Sequence, residues 1–230
     1  MASHFFLCYT IRMLFPEFEN KVSGYVNLDT EARQWMQQRS LPVDPNPLLD
    51  PDTCQQMVSD VHKKYSLDFS YGGWLEDRSF LWKGSYLDET GGYIHLGVDF
   101  NVPEYTKVAA SFDAEVVRID DDYPIEGGWG NRIIVKHAQL PLYFIYAHLD
   151  EENMCQVGDK LIKNQVFAKI GKTPFNGKWF PHLHLQTINA PFYEELLRTN
   201  ALDSLDGYGA VTDIAKNAAL FKDPLPFVEI

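Results

Sequence analysis

The chain has 230 residues, of which 45% are hydrophobic, 14% aromatic and 23% charged, a composition that excludes a disordered polymer, a collagen-like rod and a small disulfide scaffold. Lys and Arg number 20 against 32 Asp and Glu, for a formal net charge of −12. A chain so acidic repels phosphate backbones and anionic lipid or wall polymers, so no nucleic-acid or membrane partner is expected. No 18-residue apolar run is present to span a bilayer.

The first apolar stretch, Phe5–Ile11, has no Lys or Arg before it and no small-residue cleavage pattern after it, and Arg12 interrupts it. It reads as a buried strand rather than the core of a signal peptide. Cys8, Cys54 and Cys155 cannot all pair within one chain and sit at no metal-ligand spacing. Free thiols fit a reducing compartment, and without an export signal the expected location is cytoplasmic, with signal-independent export left open.

Punctuation divides the chain into three parts. Residues 1–84 are expected to form an N-terminal extension of mixed helix and loop, packed on the core. Its helix candidates are Thr30–Arg39 and a segment that starts at Asp50-Pro51, a capping residue before a proline, and runs to about Tyr65. A proline-stiffened linker, Leu41–Pro47, separates them. Tyr71–Arg78, with its aromatic and charged residues, is a candidate lining for a substrate groove, although Trp74 and Trp82 read first as ordinary packing aromatics.

From 85 to 190 short β-type runs follow at close intervals: Ile94–Phe100, Glu115–Ile119, Arg132–His137, Leu142–Leu149, Gln165–Ile170 and His182–Thr187. Strands this dense without intervening helices predict a compact antiparallel β domain in a protein that is mainly β, α+β overall. Residues 191–230 form a tail with short helices expected at Tyr193–Arg198 and near Thr212–Leu220.

Histidines mark the β region. In a strand, His95, Gly97 and Asp99 share one face because the side-chain period is two, and Gly97 then leaves room for an ion between its neighbours. The same parity puts His182 and His184 on one face, and His148 ends the strand Tyr143–Leu149. Roughly 0.5 H-x-x-x-D and about 0.2 H-x-H matches arise by chance in such a composition, so no one of these is specific alone. Their joint occurrence is the signal. Two imidazole nitrogens and a carboxylate oxygen suit zinc and keep a fourth position open, while further imidazoles remain for proton transfer.

The run from about Gly92 to Thr187 resembles the lysostaphin-type zinc endopeptidases, the LytM-like peptidoglycan hydrolases with the duplicated hybrid motif fold. The resemblance rests on His95-Leu-Gly-Val-Asp99, Tyr146-Ala-His148-Leu149 and Pro181-His182-Leu-His184, with Trp129–His137 and Val157–Lys160 as further landmarks. It implies an antiparallel β-sandwich or barrel-hybrid catalytic core. It implies His95, Asp99 and His184 as ligands of one Zn2+ per chain, His148 and His182 as the catalytic histidines, and a peptide or muropeptide substrate. His137 matches only a common strand position, and His4 and His62 match nothing.

The chain also departs from the family. Asn164 stands in a turn where glycine is usual, a place where asparagine still accepts a positive φ. Asn176–Phe180 replaces small residues before the H-x-H motif, and Gln186 stands where glutamate is common. The alternatives to a zinc endopeptidase are a metal-dependent hydrolase of a small cytoplasmic substrate and a non-catalytic binding module on the same fold. Retention of all five positions favours catalysis, although fold and motif leave the substrate open. The oligomeric state is open too.

Overall fold

The computed structural model describes residues 14–121, 127–152 and 154–230. The strand expected at Phe5–Ile11 lies outside them. In chain order the elements are β1 (Ser23–Tyr25), α1 (Leu28–Gln38), α2 (Pro51–Tyr65), β2 (Phe69–Gly72), α3 (Leu87–Thr90), β3 (Ile94–His95), β4 (Val98–Asn101) and β5 (Lys107–Ala109). They continue with β6 (Ala114–Asp120), β7 (Asn131–His137), β8 (Leu142–Leu149), β9 (Lys160–Leu161), β10 (Val166–Lys169), β11 (Leu183–Asn189), α4 (Ala190–Arg198), β12 (Tyr208–Gly209) and α5 (Ile214–Leu220).

Eight strands form one open sheet in the order β1-β2-β4-β11-β8-β7-β6-β9, antiparallel except for β1 against β2. β10 pairs with β5, and β12 with β3, in two further two-stranded sheets. The expected mainly β, antiparallel architecture is present, as an open sheet and not a closed barrel. The strands at Ser23–Tyr25 and Phe69–Gly72 fall where the sequence suggests helix and loop. They are too short to show an alternating pattern, and they are ordered by pairing to each other and to β4.

Alternation assigns the two faces of the large sheet. Val98, Phe100, Phe144, Tyr146, Leu183 and Leu185 point to one side and are covered by the β5/β10 pair through Val108, Phe167 and Ala168. Complete burial of such side chains contributes roughly 1.5–3 kcal/mol each. On the other side Ile134, Tyr143, Ile145, Ala147 and Ile188 pack under Tyr193 and Leu196 of α4. A third cluster joins α1 and α2 to Leu81, Trp82 and Phe180.

The helix α2 starts where its sequence says, with the Asp50 side chain accepting from the Thr53 N–H and Pro51 at the first helical position. The cap of α1 is Asn27 rather than Thr30. Its side chain accepts from the Thr30 N–H, so the helix begins at Leu28, three residues before the start that a Thr30 cap gives.

Candidate active site

The floor of the site lies on the α4 side of the sheet. His184 and Asp99 are directly opposite one another on β11 and β4, and alternation turns both away from the Leu183/Phe100 core. His95 comes from β3, which is not continuous with β4, so the expected single strand Ile94–Phe100 is broken at Leu96-Gly97. β3 pairs instead with β12, with Tyr208 opposite His95. The role expected of Gly97 changes with it. A Cβ there would lie 2.7 Å from His184 Nε2, so the missing side chain admits the His184 ring rather than an ion.

Three donor atoms converge. His95 Nε2 lies 2.9 Å from His184 Nδ1 and 3.3 Å from Asp99 Oδ1, and His184 Nδ1 lies 3.0 Å from the same oxygen. All three residues are buried. The outer nitrogen of each ring meets an acceptor: His95 Nδ1 donates to the Gly73 carbonyl at 3.1 Å, and His184 Nε2 to Gln186 Oε1 at 3.0 Å. The Gln186 amide nitrogen in turn donates to the Asp206 carbonyl, which fixes which end of the amide faces His184.

Neutral imidazoles bound this way present lone pairs on the inner nitrogens. Burial and the nearby Arg78 push His95 down to about 3, so it is neutral at physiological pH. Burial alone would raise Asp99, but the charged Arg78 guanidinium bonded to it holds its carboxyl well below the usual carboxylate range. Two lone pairs and a carboxylate oxygen facing one another at about 3 Å repel unless a cation lies among them. The donor set therefore fits a metal ion, and each ligand's orientation is fixed by an outer hydrogen bond, as in known metal centres.

His148 and His182 stand beside this cluster. Their rings are 4.4 Å apart, and His182 Nε2 lies 3.7 Å from Asp99 Oδ1. Strict alternation along β8 would send His148 to the Tyr146 side. It adopts φ 62° where the register against β7 shifts, and that irregularity turns its ring into the cleft. Its Nδ1 donates to the Asn176 carbonyl at 2.9 Å, and His182 Nδ1 donates to the Phe180 carbonyl at 2.7 Å. The Phe180 ring also stacks on His182 at 4.5 Å. The segment Asn176–Phe180, which departs from the family pattern, thus positions both histidines. Burial, reinforced by neighbouring imidazoles, holds His148 well below its ordinary value, and burial lowers His182 as well.

The cleft above these five residues has a volume of about 380 Å3. Trp82, Trp129 and Trp179 wall it, with Tyr208 from β12 at one side and Arg118, Asp120 and Asp203 farther out. The Tyr71–Arg78 stretch serves otherwise than expected. Trp74 packs on the core with its Nε1 donating to the Phe221 carbonyl, while Glu76 and Arg78 are buried beneath the site. Trp82 both packs and lines the cleft.

Arg78, expected only within a groove-lining stretch, instead donates from Nη1 to Asp99 Oδ2; Tyr208, whose hydroxyl accepts from Trp82 Nε1 at 2.6 Å, was not foreseen. His137 is outside the cleft, stacked on Phe112 at 4.5 Å, and His62 bonds Ser70 Oγ at 2.9 Å. Asn164 adopts φ 74°, as its turn requires.

Two imidazoles and a carboxylate that converge beside two further imidazoles form a donor set that fits a metal ion. Residues 93–194 match the model of Peptidase family M23. Among solved structures, the catalytic domain of lysostaphin from Staphylococcus simulans overlaps with a TM-score of 0.40 at 24% identity, over 59% of this chain and 79% of that one. LytU overlaps at 0.39 and 25% identity, over 58% of this chain and 71% of that one. A zinc-containing peptidase from Vibrio cholerae overlaps at 0.34 and 22% identity, over 43% of this chain and 28% of that longer one.

Proposed function

We propose that the protein is a zinc endopeptidase that hydrolyses peptide bonds of peptidoglycan or of soluble muropeptides. His95, Asp99 and His184 would hold the ion through Nε2, Oδ1 and Nδ1. The observation that carries the reading is the mutual approach of these three buried atoms, with both outer ring nitrogens hydrogen-bonded. Two imidazoles and one carboxylate favour zinc among divalent ions. When bound, zinc supplies Lewis acidity and makes water a stronger acid.

The remaining chemistry belongs to His148 and His182. In each ring the Nδ1 proton is committed to a backbone carbonyl, so Nε2 is the basic atom. Both are held neutral by burial, the state a base requires. Between them they accept the proton of the attacking water at Nε2 and return it to the amine nitrogen as the C–N bond breaks. A protonated imidazole in this buried place also stabilises negative charge on the carbonyl oxygen. Phe180, stacked on His182, and the Asn176 carbonyl, bound to His148, hold these rings in place while the proton moves.

We place the reaction in the cytoplasm, a reading supported by the free thiols of Cys54 and Cys155. The test is release of new amino groups from purified peptidoglycan and from soluble muropeptides by the zinc-loaded protein. Hydrolysis that a chelator stops and zinc restores is expected. Zinc-loaded protein that leaves every such substrate intact would contradict the proposal.

A further inference from the structure

A carboxylate can give an ion one oxygen or two, and the two oxygens of Asp99 face different partners. Oδ1 faces the two ligand imidazoles, at 3.0 and 3.3 Å. Oδ2 faces the other way and accepts from Arg78 Nη1 at 2.5 Å. Arg78 is 0% exposed, among the largest fully buried side chains. Its guanidinium is itself held, by Glu76 Oε1 at 3.4 Å from Nε and by the Gly72 carbonyl at 3.5 Å from Nη2. Gly72 lies opposite Asp99 in the β2/β4 ladder, so the strand that leads to the arginine is registered on the carboxylate it serves. The next residue, Gly73, adopts φ 114°, and a Cβ there would lie 2.3 Å from Arg78 Nη2 and 2.6 Å from His95 Nδ1. Only a glycine lets the chain pass between them.

We infer that Arg78 is a positioning residue that occupies Oδ2 and so restricts Asp99 to a one-oxygen ligand, keeping the remaining positions on the ion for water and substrate. The inference rests on the metal-site reading proposed above. A planar guanidinium suits the task because it fixes direction as well as charge, whereas a lysine ammonium is a point charge on a flexible stem. A merely structural role for the buried pair predicts something different. Loss of Arg78 would then lower stability, because a buried charge loses its partner, without altering how the metal is held.

The experiment is the visible spectrum of the full-length protein loaded with Co2+, as wild type and as Arg78→Met, together with the metal dissociation constant of each. The wild type is expected to show the strong visible absorption of four-coordinate cobalt. In Arg78→Met the absorption is expected to weaken as Oδ2 also binds, with affinity reduced about 10–100-fold. A variant that binds cobalt with the wild-type spectrum overturns the assignment of Arg78 but leaves the metal site standing. A wild type that binds neither Co2+ nor Zn2+ overturns the metal reading and this inference with it. Should Arg78→Met fail to fold, a crystal structure of the zinc-loaded wild type decides. One Asp99 oxygen at about 2.0–2.2 Å from zinc, with the other still on Arg78, is expected, and both oxygens at that distance would overturn the inference.

Discussion

The segment that matches Peptidase family M23, residues 93–194, and the chain that flanks it contribute to the site in different ways. The segment supplies all five residues of the floor: His95, Asp99, His148, His182 and His184. The flanks supply much of what surrounds them. Gly73 accepts from His95, Arg78 bonds Asp99, Trp82 walls the cleft, and the Asp206 carbonyl orients Gln186. Groups that exchange protons or hold an ion must be a few specific residue types at short spacing. Groups that orient them need only reach the right atom, and a backbone carbonyl serves as well as a side chain. The first kind leaves a motif in the sequence, and the second leaves almost none.

The largest effect is expected from removing the two histidines proposed to transfer protons. His148→Ala and His182→Ala are each expected to keep one metal per chain while losing about 10²–10⁴-fold in kcat. Parallel metal analysis and steady-state kinetics check this, and a His182→Ala variant with full activity would contradict the assignment.

Acid should reveal the cost of burying neutral imidazoles. His95, His148 and His182 all have folded pKa values below the ordinary 6.5. The unfolded chain therefore takes up more protons than the folded one once the pH drops below about 6.5. Stability of the metal-free protein is expected to fall from there down through the lowered folded values, by up to about 1.4 kcal/mol per pH unit for each such histidine. Glu76, raised by burial, works in the opposite sense just above its ordinary range, but it is one group against three. Urea unfolding of metal-free protein at pH 7.5 and pH 5 measures the difference. Equal or greater stability at pH 5 would contradict neutral, buried histidines.

A smaller effect is expected one hydrogen bond farther out. Gln186→Ala removes the acceptor of His184 Nε2 and should weaken metal binding about 10–100-fold. A competitive chelator titration gives the number. The same titration on Arg78→Met then compares a support from inside the M23 segment with one from the flank.

Legibility in the sequence followed the same division. The five floor residues could be named because each lies in a short motif inside a β-type run. The β6, β7, β8, β10 and β11 strands were readable from Val, Ile, Tyr and Phe between turn residues, and α2 from Asp50-Pro51. The break at Leu96-Gly97 was not readable, because it depends on β12, over 100 residues away, pairing with β3. Nor was the left-handed conformation of His148, which no residue type signals; a histidine there is held by the register shift against β7. Arg78 and Tyr208 reach the site through tertiary packing alone. β1 and β2 are too short to carry a period, and their order comes from pairing, β1 with β2 and β2 with β4.

The most direct test is the metal content of the purified protein, measured beside an Asp99→Ala variant. One zinc per chain in the wild type, and none in the variant, is the predicted result. A wild type that stays metal-free after zinc is supplied would mean that His95, Asp99 and His184 converge for another reason, and the hydrolytic reading would fall with the site.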